Sequence, residues 1–232
     1  MTKYLYLAIL IFLASCGQTN KSSDKDDVVL KDSVLKTAEK TSAQTIKLAD
    51  RTVKFLWRED KYDQELKATF NSIFINEEFC KTITDQERAA IGYVATFIGN
   101  ECNWDGAYKD DRSNLKCKIL TVLNLGYQCS DQHLGFLRRM FKSDTKILAE
   151  LKSENCPTTP DGSTIQETFD EITITVKGNE ISVFFKVSGI NTRAGNSWNY
   201  TETNLFEFNN DSIKLIKKDK SKVNHEPVEM GE

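Results

Sequence analysis

Ile172-Thr173-Ile174-Thr175-Val176-Lys177-Gly178-Asn179-Glu180-Ile181-Ser182-Val183-Phe184-Phe185-Lys186-Val187 alternates apolar and polar side chains on either side of a Gly-Asn pair. A period of two puts Ile172, Ile174 and Val176 on one face of a strand, and Ile181, Val183, Phe185 and Val187 continue that face on the next. Gly-Asn is a two-residue hairpin connection, since glycine takes the positive φ such turns need. Downstream, Asn191 to Asn196 is a looser turn before Trp198, Tyr200, Phe206 and Phe208, and Asn209-Asn210-Asp211 turns into Ile213 to Ile216. The pattern predicts four antiparallel strands in meander order over residues 165–218, with one apolar face that a second layer must cover. The charged run from Asp219 to Glu232 is expected to be a disordered tail.

Upstream the period becomes helical, and Cys156-Pro157 to Gly162 marks the boundary. Thr84-Asp85-Gln86-Glu87 has the form of a capping box, with the Thr hydroxyl placed to accept from the Glu87 amide and the carboxylate to reach back to the Thr84 amide. The helix it opens presents Ala90, Ile91, Val94, Phe97 and Ile98, and Gly99-Asn100 supplies a stop. Leu115, Ile119, Val122 and Leu123 define another helix, closed by Gly126. Ser130 caps a third, carrying Leu134, Leu137, Met140 and Phe141 and leading toward Ile147, Leu148 and Leu151. Two further stretches read as helix: Val28 to about Trp57, and Leu66, Phe70, Ile73 and Phe74, which fall at i, i+4, i+7 and i+8. The expected architecture is therefore one α+β domain over residues 30–218. Its N-terminal layer over 30–156 has about four to five helices, and a four-stranded antiparallel β-meander follows over 165–218.

The chain opens Met1-Thr2-Lys3, continues with an apolar run from Tyr4 to Leu13, and reaches Leu13-Ala14-Ser15-Cys16. A basic start, a short apolar core and small residues at the cut make a secretory signal over residues 1–15, too short to span a bilayer comfortably. Leu13-Ala14-Ser15-Cys16 closely resembles the lipobox of bacterial lipoproteins. The resemblance implies a thioether lipid on Cys16, cleavage just before it and acylation of the new amino terminus, hence a membrane anchor worth about 0.8 kcal/mol per buried methylene. Gly17 is not the Asp that retains such proteins in the inner membrane of enteric bacteria, which favours the outer membrane. Residues 16–29 contain Gly17 to Asp27, without an apolar residue to bury, and read as a flexible tether. Within it Asp24-Lys25-Asp26-Asp27 resembles the acidic export signal of surface lipoproteins in Bacteroidetes, and Asp32-Ser33-Val34 and Asp211-Ser212-Ile213 resemble that phylum's O-glycosylation tripeptide.

Cleavage before Cys16 removes one lysine from 31 basic residues set against 34 acidic ones. A mildly acidic, interspersed surface speaks against a nucleic-acid partner, which calls for a basic stripe. With Cys16 assigned to lipid, the odd set Cys80, Cys102, Cys117, Cys129 and Cys156 is expected to form two disulfides and leave one buried thiol. Cys-x-x-Cys spacing is missing and only His133 and His225 are available, so neither a metal site nor a cofactor is called for.

Three groups of residues bear on chemistry. Glu101 and Asp105 flank Trp104 in a turn-rich segment, where paired carboxylates could act as acid and base on a sugar; the alternative role is closing a helix end stapled by Cys102. His133 stands at the third position of a capped helix, four residues after Cys129, as a weak base candidate or a packed helix residue. Trp104 and Tyr108 offer aromatic area for a binding surface. Phosphate loops, nucleophile elbows and metalloprotease motifs are lacking. The leading expectation is an envelope lipoprotein that binds a protein or envelope polymer without catalysis, as an inhibitor or immunity protein does. The other two readings are a cell-envelope hydrolase using Glu101 and Asp105, and a structural subunit of an outer-membrane assembly.

Overall fold

A computed structural model describes residues 48–98, 115–156 and 164–227. The chain begins there with strands: β1 (Arg51–Asp63) and β2 (Ala68–Ile75) form a hairpin. Helices follow as α1 (Glu77–Thr82), α2 (Asp85–Phe97), α3 (Leu115–Val122), α4 (Asp131–Met140) and α5 (Thr145–Glu150), with a short 3-10 turn at Ser153–Asn155. The remaining strands are β3 (Ile165–Lys177), β4 (Glu180–Asn191), β5 (Asn196–Phe208), β6 (Ile213–Lys220) and β7 (Asn224–Pro227). All described strands belong to one antiparallel sheet of order β2-β1-β3-β4-β5-β6, with β7 pairing the start of β5 on the side that β6 takes further along.

This corrects the expected architecture. The helices are inserted between two parts of one seven-stranded sheet, so they are not a layer that precedes a four-stranded meander. Arg51 onward is strand where helix is expected to run to Trp57; Val28 to Ile46 lie outside the described residues. The apparent helical stripe at Leu66, Phe70, Ile73 and Phe74 is the β1–β2 turn and β2. Leu66, Phe70 and Phe74 are four apart, which satisfies a period of two as well as a helical one. The β-branched and aromatic content of Ala-Thr-Phe-Asn-Ser-Ile-Phe-Ile, packed beside β1, decides for strand. At the other end, Asp219 and Lys220 complete β6 and Asn224–Pro227 forms β7, where a disordered tail is expected.

The β3–β4 hairpin lies where the alternation and the Gly-Asn pair put it. Lys177 pairs Glu180 across Gly178-Asn179, with Gly178 at φ +63°. Ile172, Ile174, Val176, Ile181, Val183 and Phe185 are buried on the inner face. α2 lies over β4, β5 and β6 and α3 over β3. The α2 capping box is present in both directions. Its Glu87, fully buried, also takes Arg51 Nε and Nη2 at 2.9 and 2.7 Å on Oε1. That ion pair ties the start of β1 to the start of α2. In the same way Asp144 caps α5 through Oδ1 while its Oδ2 accepts from the amide of Leu215 on β6.

Two register shifts shape the sheet. Between Lys54 and Leu56 the pairing of β1 with β3 skips Phe55, so Phe55 and Leu56, though adjacent, are both fully buried. Between Phe169 and Glu171 the pairing of β3 with β4 skips Asp170, which meets Arg58 Nε of β1 at 2.8 Å.

Candidate functional site

His133 is placed by the Ser130 cap, whose Oγ accepts from the His133 amide at 3.2 Å. The ring is fully buried. Nδ1 accepts from the Cys129 amide at 3.1 Å, which leaves Nε2 as the protonated nitrogen, 3.2 Å from Thr96 Oγ1. Thr96 Oγ1 itself donates to the Gly92 carbonyl at 2.8 Å, so its lone pair is free to accept from Nε2. Burial lowers the His133 pKa to about 4, with the Lys116 charge adding to the effect and a backbone hydrogen bond opposing it. Both nitrogens are occupied and the neutral form is favoured, so the imidazole organises the packing of α2 against α4. Its neighbour Cys129 is disulfide-bonded to Cys156.

Cys117 is also disulfide-bonded, to a partner outside the described residues. Cys80 is a half-buried thiol, its pKa raised to about 11 by burial and by Glu77. Glu101, Asp105, Trp104, Tyr108, Cys102 and Cys16, where lipidation is expected, all lie outside the described residues. Among the described residues no three His, Cys, Asp or Glu side chains are grouped to hold a metal.

The structure instead assembles a cleft at the end of the inner sheet face that α2 leaves open. The β5 register places Tyr200, Glu202 and Asn204 opposite Val187, Phe185 and Val183, so polar side chains enter a face that is otherwise apolar. Lys218 and Lys220 of β6 stand opposite Asn204 and Glu202. With Tyr93 and Phe97 from α2 they enclose about 220 Å³. Lys220 Nζ sits 3.5 Å above the centre of the Tyr200 ring and Lys218 Nζ 5.1 Å from that of Tyr93, both cation–π contacts. Tyr93 Oη donates to Glu150 Oε2 at 2.6 Å, and Lys218 Nζ lies 3.8 Å from the same oxygen.

The electrostatics follow from this placement. Burial raises the pKa of Glu202, and the ammonium groups of Lys220 and Lys218 oppose that shift. The Tyr93 hydroxyl is pushed well above its ordinary range by burial and by Glu150, and Tyr200 by burial and by Glu167 and Glu202, so both remain hydrogen-bond donors. Asn204 is 3% exposed and its Oδ1 finds no hydrogen-bond partner among the described residues. A buried carbonyl oxygen without a donor is costly, about 1–3 kcal/mol. At the far end of the cleft, Trp198 Nε1 donates to Glu167 Oε1 at 3.2 Å.

A shallower groove of about 700 Å³ lies among Lys186, Ser188, Asn199, Thr201, Ser221 and Lys222. It forms where the chain leaves β6 and re-pairs with β5 as β7. Its polar lining is that of a solvated sheet face, and Lys186 already pairs with Glu171 at 3.0 Å.

Sequence reasoning did not single out Tyr93, Tyr200, Glu202, Asn204, Lys218 or Lys220 as one site. One signal was available: on β5 the inward positions run Trp198, Tyr200, Glu202, Asn204, Phe206, and two polar residues interrupt an apolar alternation. No protein-family model, no curated protein and no solved structure matches the chain.

Proposed function

We propose that this chain is a bacterial envelope lipoprotein, anchored through lipid on Cys16, that acts by binding a protein or an envelope polymer without catalysis. The ligand site in this reading is the inner-face cleft, and its occupant is a polar group the size of a side chain or a single sugar. The observation that carries it is Asn204: an amide with a donorless buried oxygen, set between a carboxylate of raised pKa and two tyrosine rings. A ligand that donates to such an amide recovers a desolvation cost that the protein alone leaves uncompensated. Aromatic walls with few polar groups are what small recognition sites generally use.

The test is photo-crosslinking in living cells with a photoreactive amino acid at position 218, and at the exposed Lys54 of β1 as control. A discrete adduct from position 218, lacking at position 54 and lost when Tyr200→Ala is added, is the expected result. Equal labelling from both positions, or none from 218, overturns the cleft as the binding site. For the anchor, incorporation of labelled fatty acid should vanish in Cys16→Ala, and retention of the label overturns that part.

A further inference from the structure

The two edges of the sheet are built differently. The β6 edge, Ile-Lys-Leu-Ile-Lys-Lys-Asp-Lys, carries five charges in eight residues, and β7 beyond it ends in Pro227. Lysines and proline on an edge strand block the approach of another strand. β2, the opposite edge, is Ala-Thr-Phe-Asn-Ser-Ile-Phe-Ile, without charge, proline or glycine. Its residues pair with β1 on one side in unbroken register from Leu56↔Ile75 to Asp63↔Ala68.

The backbone direction of that free side can be read off. The Asn76 amide donates to the Phe55 carbonyl at 2.8 Å, toward β1. In an antiparallel ladder the bonding direction alternates residue by residue, so residues 74, 72, 70 and 68 also turn their amides and carbonyls to β1. Thr69, Asn71, Ile73 and Ile75 turn theirs to the edge that no described strand pairs.

We infer that β2 is a homodimerisation edge, which a second copy of this chain joins antiparallel about a two-fold axis normal to the sheet at Ser72. In that register Thr69 faces Ile75 of the second copy and Asn71 faces its Ile73, so every outward residue of both strands enters the ladder. The four hydrogen-bonded pairs exchange about eight hydrogen bonds. Charge selects the same register. Lys67, at the turn end of β2, comes alongside Glu77 at the other end of the second copy's strand. A register centred on Asn71 would put Lys67, whose φ of 47° is not a strand conformation, into the ladder and set Glu65 against Glu77. The interface is self-complementary, as a two-fold contact must be. It is independent of the inner-face cleft, which lies at the β5–β6 end of the sheet.

The register gives a specific test in the full chain. Ser72 would face its own copy in a non-hydrogen-bonded pair, with Cα atoms about 4.5 Å apart, within disulfide reach. In a Cys80→Ser background, Ser72→Cys should form a covalent homodimer on a non-reducing gel of intact cells, whereas Asp219→Cys on the charged edge should not. Adding Asn71→Pro should abolish that dimer while a cooperative thermal transition is kept, because the Asn71 amide points away from β1 and its loss breaks no ladder bond to β1, whereas Ile73 packs against the core and is left in place. If that variant fails to fold, Thr69→Pro, at an exposed position whose amide also points outward, should give the same loss. No dimer from Ser72→Cys, a dimer that survives both proline variants, or a cross-link to a different protein each overturns the inference.

Discussion

His133 shows how burial converts a candidate base into a pH-dependent packing element. Its pKa is lowered to about 4 from an ordinary 6.5, chiefly by burial. Between those values the unfolded chain binds a proton that the folded chain refuses, so this residue's contribution is fully present above pH 6.5 and falls as pH drops toward 4. The loss at the bottom of the window is about 3 kcal/mol. Glu202 works in the opposite sense, since an acid with a raised folded pKa favours the folded state at low pH. A comparison of variants, not the raw slope, therefore isolates the histidine. The denaturant midpoint of the natural chain should fall between pH 6.5 and 4 more steeply than that of His133→Gln, whose midpoint is lower at pH 7 but flatter below it. Parallel profiles would show that the proton goes elsewhere.

At the level of elements, the Arg51–Glu87 contact joins β1 to α2 and closes a capping box in one step. Glu87 is fully buried and accepts from the Thr84 amide, the Thr84 hydroxyl and the Arg51 guanidinium. Glu87→Ala removes all three and leaves the Arg51 charge, two-thirds buried, without that partner, a change of about 3 kcal/mol. Arg51→Ala keeps the cap but leaves the fully buried Glu87 carboxylate without its cation, so by urea denaturation it should cost about as much; a loss under half as large would place the stability in the cap and not in the ion pair. The box itself is legible as Thr84-Asp85-Gln86-Glu87, because capping is local. The arginine is not, because it sits 36 positions upstream and is positioned by the pairing of β1 with β3. The same distinction separates what the sequence reveals from what it conceals elsewhere. Ile172 to Val187 reads correctly since one solvated face imposes strict alternation. β1 misleads because the bulge at Phe55 buries two adjacent residues, and β2 because its apolar spacing of four fits either period. The cleft was half visible, in the inward Glu202 and Asn204, but its tyrosine wall from α2 depends on helix placement that no periodicity encodes.

For the whole molecule, the decisive pairing is β1 with β3, Arg51 opposite Val176, because it joins the strands that precede the described helices to those that follow them. A boundary near residue 160 suggests a helical half and a strand half, yet neither owns a core. Ile91, Val94, Ile119, Leu120 and Leu123 of the helical region share one buried cluster with Ile172, Ile174, Val183, Phe185 and Phe206 of the strands. Ending the chain after Cys156 removes the surface that α2 and α3 pack against. Even five side chains re-exposed at about 2 kcal/mol each come to about 10 kcal/mol, comparable with the whole stability of a domain at about 5–15 kcal/mol. The Cys129–Cys156 disulfide survives in such a fragment but closes a loop within the helical region, and at about 3 kcal/mol it does not make up the difference. A chain truncated after Cys156 should therefore lack a cooperative thermal transition and show collapsed amide dispersion. A sigmoidal melt from that fragment would mean that the helices fold without the sheet, and that the inserted helical region is a domain in its own right.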